Sequence, residues 1–227
     1  MKYERINRGI FISRPNRFIA RVEINGKEEI CHVKNTGRCR ELLIPGTEVY
    51  VQEALNPERK TRYDLITVRK EGTGLVNMDS QAPNQAAGEW IAAGGLAENV
   101  TLIQPEKTFG ASRMDFYLEA GGKKIWTEVK GVTLERDGLA LFPDAPTLRG
   151  VKHIHELMRA ASEGFEAYLL FVIQMKGPVC FAANEETHPE FAQALREAEK
   201  AGVKVIAADC IVTEDSIQID KKIPIRN

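Results

Sequence analysis

Nothing in the 227 residues approaches the roughly 20 consecutive apolar residues that a membrane span needs. The first 18 residues, MKYERINRGIFISRPNRF, carry charges throughout, which excludes the apolar middle of a secretory signal. Cysteine is scarce: Cys31, Cys39, Cys180 and Cys210 stand far apart, with no CxxC pair. That spacing argues against a zinc knuckle and a disulfide framework, and for a cytoplasmic protein with reduced thiols. Aromatic residues make up only 7%, so base stacking is weakly supported as a binding mode. There is neither an internal repeat nor a low-complexity segment. What remains is an ordinary globular composition, 43% apolar and 28% charged. The net charge of −1 conceals an asymmetry. Residues 1–82 hold 15 Lys and Arg against 11 Asp and Glu, whereas residues 83–227 hold 16 against 21. A basic N-terminal part suits a polyanion such as nucleic acid, although a solvated basic surface would read the same way.

Residues 1–80 read as strands. GIFISRPNRFIARVEI, EEICHVKN, TEVYVQEAL, DLITVRK and GLVNM are rich in Ile, Val, Phe and Tyr. Turn signals at Pro15-Asn16, Asn25-Gly26, Asn35-Thr36-Gly37 and Pro45-Gly46 separate them. About five short strands in such a length fit a small barrel. The texture changes near residue 82, where we place a domain boundary dividing 1–82 from 83–227. Pro83-Asn84 reads as a helix start and Gly94-Gly95 as its stop. SRMDFYLEA and KIWTEVKGVTLE, joined through Gly121-Gly122, form a strand hairpin, with GLALF as a third strand. RGVKHIHELMRAASE places Val151, Ile154, Met158 and Ala161 on one helical face, ending at Gly164. AYLLFVIQM and VKVIAADCIV are buried strands flanking the amphipathic helix PEFAQALREAEKAG, and the tail DKKIPIRN reads as a surface segment. The order predicts an α/β domain with a mixed sheet.

WTEVKG, residues 126–131, poses the chemical question. Glu128 and Lys130 stand two apart in an otherwise apolar strand, so they share one face. A hairpin through Gly121-Gly122 brings Asp115 near Glu128, and Glu89 lies on the preceding helix. Carboxylates gathered this way repel unless a cation intervenes, and Mg²⁺ or Mn²⁺ takes such oxygen ligands. A lysine beside them can position water and stabilise developing negative charge, which is the equipment for phosphodiester hydrolysis. The competing account is a solvated Glu–Lys pair. The neighbours Ile125, Trp126 and Val129 place the strand inside the fold, where a charge needs a partner.

Two further clusters attract attention. In LFPDAPTLRGVKHIHEL, the loop Pro143-Asp144-Ala145-Pro146 leads to Arg149, Lys152 and His153 around a helix N-terminus, a setting that favours phosphate. His153 also fits a core histidine, and His155 and Arg159 fit the solvated face. In SRPNRF and HVKNTGRCREL, Arg14, Arg17, Lys34, Arg38 and Arg40 interleave with Phe18 and His32, a pattern found along nucleic-acid grooves and also in ordinary loops.

NTG (35–37), PG (45–46), VNMDSQAPN (76–84), SRMDF (112–116), EVKGVTL (128–134) and FPDAPTLRGVKHIHEL (142–157) together resemble the sugar fermentation stimulation protein A (SfsA) family, over about residues 8–220. The resemblance implies an OB-fold-like N-terminal β-barrel followed by a PD-(D/E)xK nuclease-like α/β domain with a mixed sheet. It implies a DNA-binding protein of little sequence specificity, acting on double-stranded DNA, with a link to maltose and other sugar genes. By motif, Asp115, Glu128 and Lys130 match the nuclease signature, and Glu89 matches the acidic residue this fold often places on its first helix. The expected metal ligands are then Glu89, Asp115, Glu128 and the Val129 carbonyl, with Lys130 on the attacking water. The expected DNA contacts are Arg14, Arg17, Lys34, Asn35, Arg38, Arg113, Asp144, Arg149, Lys152 and His153. Leu148 and His155 depart from the family's usual acidic residue and arginine, which touches substrate preference rather than the metal ligands. A DNA-binding regulator with an idle site, or an enzyme acting on a small phosphate ester, stays open, and homo-oligomerisation is compatible with the sequence.

Overall fold

The structure, a computed structural model, describes residues 1–226 apart from 36 and 57. Thr36, within one of the expected turns, therefore lies outside the described residues. The chain begins with six strands: β1 (Ile6–Asn16), β2 (Ile19–Ile24), β3 (Lys27–Val33), β4 (Glu48–Glu53), β5 (Tyr63–Lys70) and β6 (Gly74–Asn77). They pair in the order β3-β2-β1-β4-β5-β6, and a further parallel pairing of β3 with β5 closes β1–β5 into the expected barrel. Closure runs through Cys31–Val33 of β3 and Tyr63–Leu65 of β5. Alternation of small and branched residues fills the barrel with Phe11, Val22, Cys31, Val49, Leu65 and Val68. The β2–β3 turn is Asn25-Gly26, both at positive φ, the two-residue hairpin geometry that this dipeptide favours. The β1–β2 turn differs from expectation: Pro15 and Asn16 remain in β1, and the reversal is at Arg17-Phe18. Asn16 sets it from the strand end, because its Oδ1 accepts the Phe18 N–H at 2.9 Å.

The second part follows with α1 (Ala82–Ala92), β7 (Val100–Phe109), β8 (Ser112–Ala120), β9 (Lys123–Val132), β10 (Leu134–Arg136), β11 (Leu139–Phe142) and α2 (Leu148–Ser162). Then come β12 (Glu166–Ile173), β13 (Cys180–Ala183), α3 (Pro189–Lys200), β14 (Lys204–Val212), β15 (Ile217–Ile223) and β16 (Ile225–Arg226). The central sheet has the order β15-β14-β12-β9-β8-β7 and is mixed, as expected: β7, β8 and β9 are antiparallel, and β9, β12 and β14 parallel. One face packs Ala86, Ala87 and Ile91 of α1 against Phe116, Ile125, Val129 and Leu170. The other packs Ile154, Leu157 and Ala160 of α2, and Phe191 and Leu195 of α3, against Trp126, Leu169 and Phe171. No helix among the described residues is long and apolar enough to cross a membrane.

Three expectations change. GLALF is not part of the central meander: as β11 it pairs parallel with β13 in a separate sheet, β10-β11-β13-β16. The tail stays at the surface but is strand: β15 completes the central sheet by a hairpin with the preceding β14, and β16 adds to the second by pairing with the distant β13. The α2 face is rotated by about one position. Gly150, His153, Ile154, Leu157 and Ala160 are buried, while Val151, Met158 and Ala161 pack at its margin.

Glu166 ties the N-terminal ends of three parallel strands together. It pairs with Lys123 of β9 and with Lys204 of β14 at 2.9 Å, and accepts the Tyr168 hydroxyl at 3.0 Å. Hydrogen bonding by Lys123, then Lys204 and Tyr168, pulls its carboxyl from the ordinary 4.5 down to about 2, against some opposing desolvation. A carboxyl lowered on folding contributes stability above its unfolded value and loses it as pH falls towards the folded one. Both lysines are half in water, so we expect Glu166→Gln to cost only about 1 kcal/mol at pH 7. Denaturation midpoints of the two proteins should converge between pH 4.5 and pH 2. A constant difference across that range would remove the ion pairs as its cause.

Candidate active site and nucleic-acid interface

The site forms where two paired strands part. β8 and β9 stay in register from Ala120–Lys123 to Phe116–Thr127, and the ladder then ends. The next inward N–H, that of Val129, would lack a strand partner, and Asp115 supplies one: its Oδ2 accepts Val129 N at 2.7 Å. Its Oδ1 accepts Asn84 Nδ2 of α1 at 2.7 Å. Burial first, and the Glu128 charge second, raise the Asp115 carboxyl above its ordinary value, despite Val129 N–H, Lys130 and Asn84.

Glu128 and Lys130 do share a face, and it is the one turned to α2. Glu128 is 2% exposed. Its Oε1 takes Lys130 Nζ at 2.5 Å and the Nδ1 of His153. Burial alone would raise this carboxyl, but the His153 hydrogen bond and the Lys130 charge together lower it. Arg149 Nε donates to His153 Nε2 at 3.4 Å, so Nε2 accepts and Nδ1 carries the proton it gives Glu128. Oε2 of Glu128 is buried and has no hydrogen-bond partner among the described residues. A buried carboxylate oxygen left so is costly, and a hard divalent cation between Glu128 and Asp115 would satisfy it. Asp115, Glu128 and the Val129 peptide therefore fit such an ion.

Glu89 stands apart. It lines a depression of about 370 Å³ together with Asn84 and Asp115, but its carboxylate bonds the Met1 amino group at 2.6 Å. Among the described residues, no three His, Cys, Asp or Glu side chains are gathered closely enough to hold a metal ion. His153, expected beside DNA, is instead 5% exposed and bound to Glu128.

The other expected DNA contacts divide into occupied and free groups. Arg14 gives its guanidinium to the carbonyls of Arg17, Asn35, Gly37 and Arg38 at 2.7–2.9 Å, holding that loop. Asn35 Oδ1 accepts Gly37 N at 2.8 Å. Lys34 bridges the buried Asp64 and Asp79 at 3.3 and 3.4 Å. Asp144 fastens the two parts of the chain: its Oδ2 accepts Arg38 N at 3.1 Å and occupies the space where a Cβ on Gly37 would stand. Lys152 donates to the Ala111 carbonyl at 3.2 Å, and Arg113 lies 3.5 Å from Glu106 with both largely in solvent. Arg17, Arg38 and, from the same basic cluster, Arg40 are exposed, as is Arg149 beyond its bond to His153, and none has a carboxylate partner among the described residues. The first three line a depression of about 330 Å³ on the barrel. Sequence reasoning missed Asn84 as a partner of Asp115 and saw only a helix start there. The available signal was an amide directly after Pro83, on the first turn of a helix that precedes an acidic strand.

Two family models match in tandem: "SfsA N-terminal OB domain" over residues 12–78 and "Sugar fermentation stimulation protein RE domain" over residues 81–216. The chain belongs to the sugar fermentation stimulation protein family. A "Sugar fermentation stimulation protein homolog" of Desulfitobacterium hafniense is 62% identical over 218 residues, 96% of this chain and 95% of that protein. Another, of Ruminiclostridium cellulolyticum, is 56% identical over 226 residues, the whole of both. Among solved structures, that of Pyrococcus furiosus SfsA in complex with Ca²⁺ superposes with a TM-score of 0.90 at 28% identity, covering 100% of this chain and 98% of that one.

Proposed function

We propose that this family member binds DNA and hydrolyses its phosphodiester bonds with a divalent metal ion, Mg²⁺ or Mn²⁺. The observation that carries the reading is the orphaned Oε2 of buried Glu128 beside a second, half-buried carboxylate, Asp115, with the Lys130 ammonium at hand. The Ca²⁺ in the Pyrococcus furiosus relative supports a cation site in this fold. Asp115 and Glu128 would hold the ion with the Val129 carbonyl, and Glu89 would join them on leaving Met1. A cation so bound lowers the pKa of its water and neutralises charge on a reacting phosphodiester. The chain's own residues do the rest. Asn84 and the Val129 N–H fix the Asp115 carboxylate, His153 fixes Glu128, and Lys130 positions water and steadies negative charge. Residues 1–82 would track the DNA backbone through Arg17, Arg38 and Arg40, and residues 83–227 would carry the chemistry with Arg149. Double-stranded DNA is the substrate assigned, bound with little sequence specificity. The four cysteines are free thiols, which supports a cytoplasmic address.

Purified protein incubated with plasmid and linear DNA in Mn²⁺ should cleave, and Asp115→Ala and Lys130→Ala should not. Equal cleavage by all three would assign the activity to a contaminant. DNA affinity should fall steeply between low and physiological salt, since phosphate contacts release counterions. The second reading is a DNA-binding regulator of sugar genes with an idle site. Its support is the way the expected ligands are occupied, Glu89 by Met1 and Glu128 by Lys130 and His153. Full DNA affinity in chelator with no metal-dependent turnover would establish it.

A further inference from the structure

Two large apolar side chains stand in water at the basic rim. Leu148 is 80% exposed and Phe18 is 50% exposed. Single exposed apolar residues are common and need no explanation. These two differ in the way they are presented and in what surrounds them. Phe18 sits at the β1–β2 reversal with its N–H held by Asn16 and its carbonyl accepting Val33 N at 2.8 Å, so the backbone is fixed and the ring is free. Leu148 is the first residue of α2, whose start Thr147 caps by accepting Gly150 N at 3.0 Å. One run of contacts joins the two positions. Arg14 holds the carbonyls of Arg17 and Arg38, and Arg38 N donates to Asp144, four residues before Leu148. Along that run lie Arg17, Arg38 and Arg40, and beside Leu148 lies Arg149, all without a carboxylate partner among the described residues.

Unneutralised arginines select a polyanion over a protein surface, and the apolar groups between them need something flat and apolar to meet. An intact duplex offers its phosphates but hides its base faces. We propose that this rim binds DNA whose bases are unstacked, a single strand or a locally opened duplex, with Phe18 stacking on a base and Leu148 wedged between neighbouring ones. The inference rests on the DNA-binding reading above and names its substrate more closely: strands opened near the Asp115–Glu128 site. The residue type at position 148 suits the role. A carboxylate there would repel phosphate, whereas a leucine enters between bases.

The test is fluorescence anisotropy on the full chain, in chelator, with one labelled sequence prepared as a duplex, a duplex with a central unpaired bubble, and a single strand. We expect the bubble and the single strand to bind about tenfold tighter than the duplex, the size of effect that base stacking supplies. In a Phe18→Ala/Leu148→Ala variant that ratio should fall to near one. Both changes are at exposed positions, and a thermal midpoint equal to that of the unaltered chain would show that the fold is kept. Arg17→Ala/Arg38→Ala should weaken all three forms together and leave the ratio standing. Equal affinity of the unaltered chain for duplex and bubble, or a preference that survives in the Phe18/Leu148 variant, overturns the inference while DNA binding stands. Absence of binding to every form at low salt overturns the DNA-binding reading and this one with it.

Discussion

His153→Ala is expected to weaken Mn²⁺ binding by about 10- to 100-fold, the usual cost of removing the group that orients a metal ligand, and Lys130→Met to strengthen it several-fold. The two effects run in opposite directions because the two side chains hold the same oxygen for different reasons. His153 approaches Oε1 of Glu128 from α2, with Arg149 fixing its tautomer, and it keeps the carboxylate aimed while leaving the charge negative. Lys130 brings a positive charge to the same oxygen at 2.5 Å, and so competes with any cation. Removing the imidazole frees a buried carboxylate to turn; removing the ammonium takes away a competitor. DNA cleavage should fall in both, and in Lys130→Met by about 10²–10³-fold, the loss typical of one preorganised charge-stabilising donor. Tighter metal binding with slower cleavage in one variant separates holding the ion from using it. Titration of Mn²⁺ into the full chain without DNA measures the first quantity alone. If both variants bind Mn²⁺ as the unaltered chain does, Glu128 is not a metal ligand.

Much of this arrangement was legible in the sequence because it depends on period. Two-residue spacing put Glu128 and Lys130 on one face, and the Gly121-Gly122 turn fixed the register that brings Asp115 to β9. Barrel strands announced themselves by branched residues between turn signals. Elements at the edges of the sheets were harder to see. β7 carries Pro105 and lies at the sheet edge with mostly part-exposed side chains, so it lacks both alternation and a continuous apolar run. β15 and β16 are polar-rich and become strands only because β14 and β13 wait for them. Roles that depend on a hydrogen-bond partner far along the chain were hidden too. Arg14, Lys34 and Asp144 look like surface charges in sequence, yet each is engaged by groups 21 to 106 residues away. The ambiguity over His153, phosphate contact or core histidine, is resolved by its burial and its bond to Glu128. The shifted α2 face includes Gly150, where the absent Cβ leaves room for Thr147 and Phe191 close against the helix start.

Phe171→Ala should be among the most destabilising single changes in the molecule. Phe171 is fully buried on β12, and three layers of the fold meet on its ring. Phe181 of β13 stacks on it at 4.2 Å, Phe142 at the end of β11 lies at 5.6 Å, and Phe191 of α3 packs edge-on at 6.4 Å. Deleting such a side chain costs the lost transfer free energy plus the cavity left behind, about 3–5 kcal/mol for a buried phenylalanine. In a chain of this size that corresponds to a fall in melting temperature of about 6–20 °C. A loss below about 1 kcal/mol in denaturant unfolding would mean that the second sheet and α3 close over the gap, and that the aromatic cluster is not what joins them. The change also reaches the site. Phe171 pairs in register with Lys130 on β9, and both belong to the strand faces covered by α2. A cavity at Phe171 therefore opens beside the stem of Lys130 and near the Glu128 carboxylate it serves. DNA cleavage should then slow in Phe171→Ala well below its melting temperature, because Lys130 is no longer held in place, and recover in Phe171→Leu, which refills most of the volume.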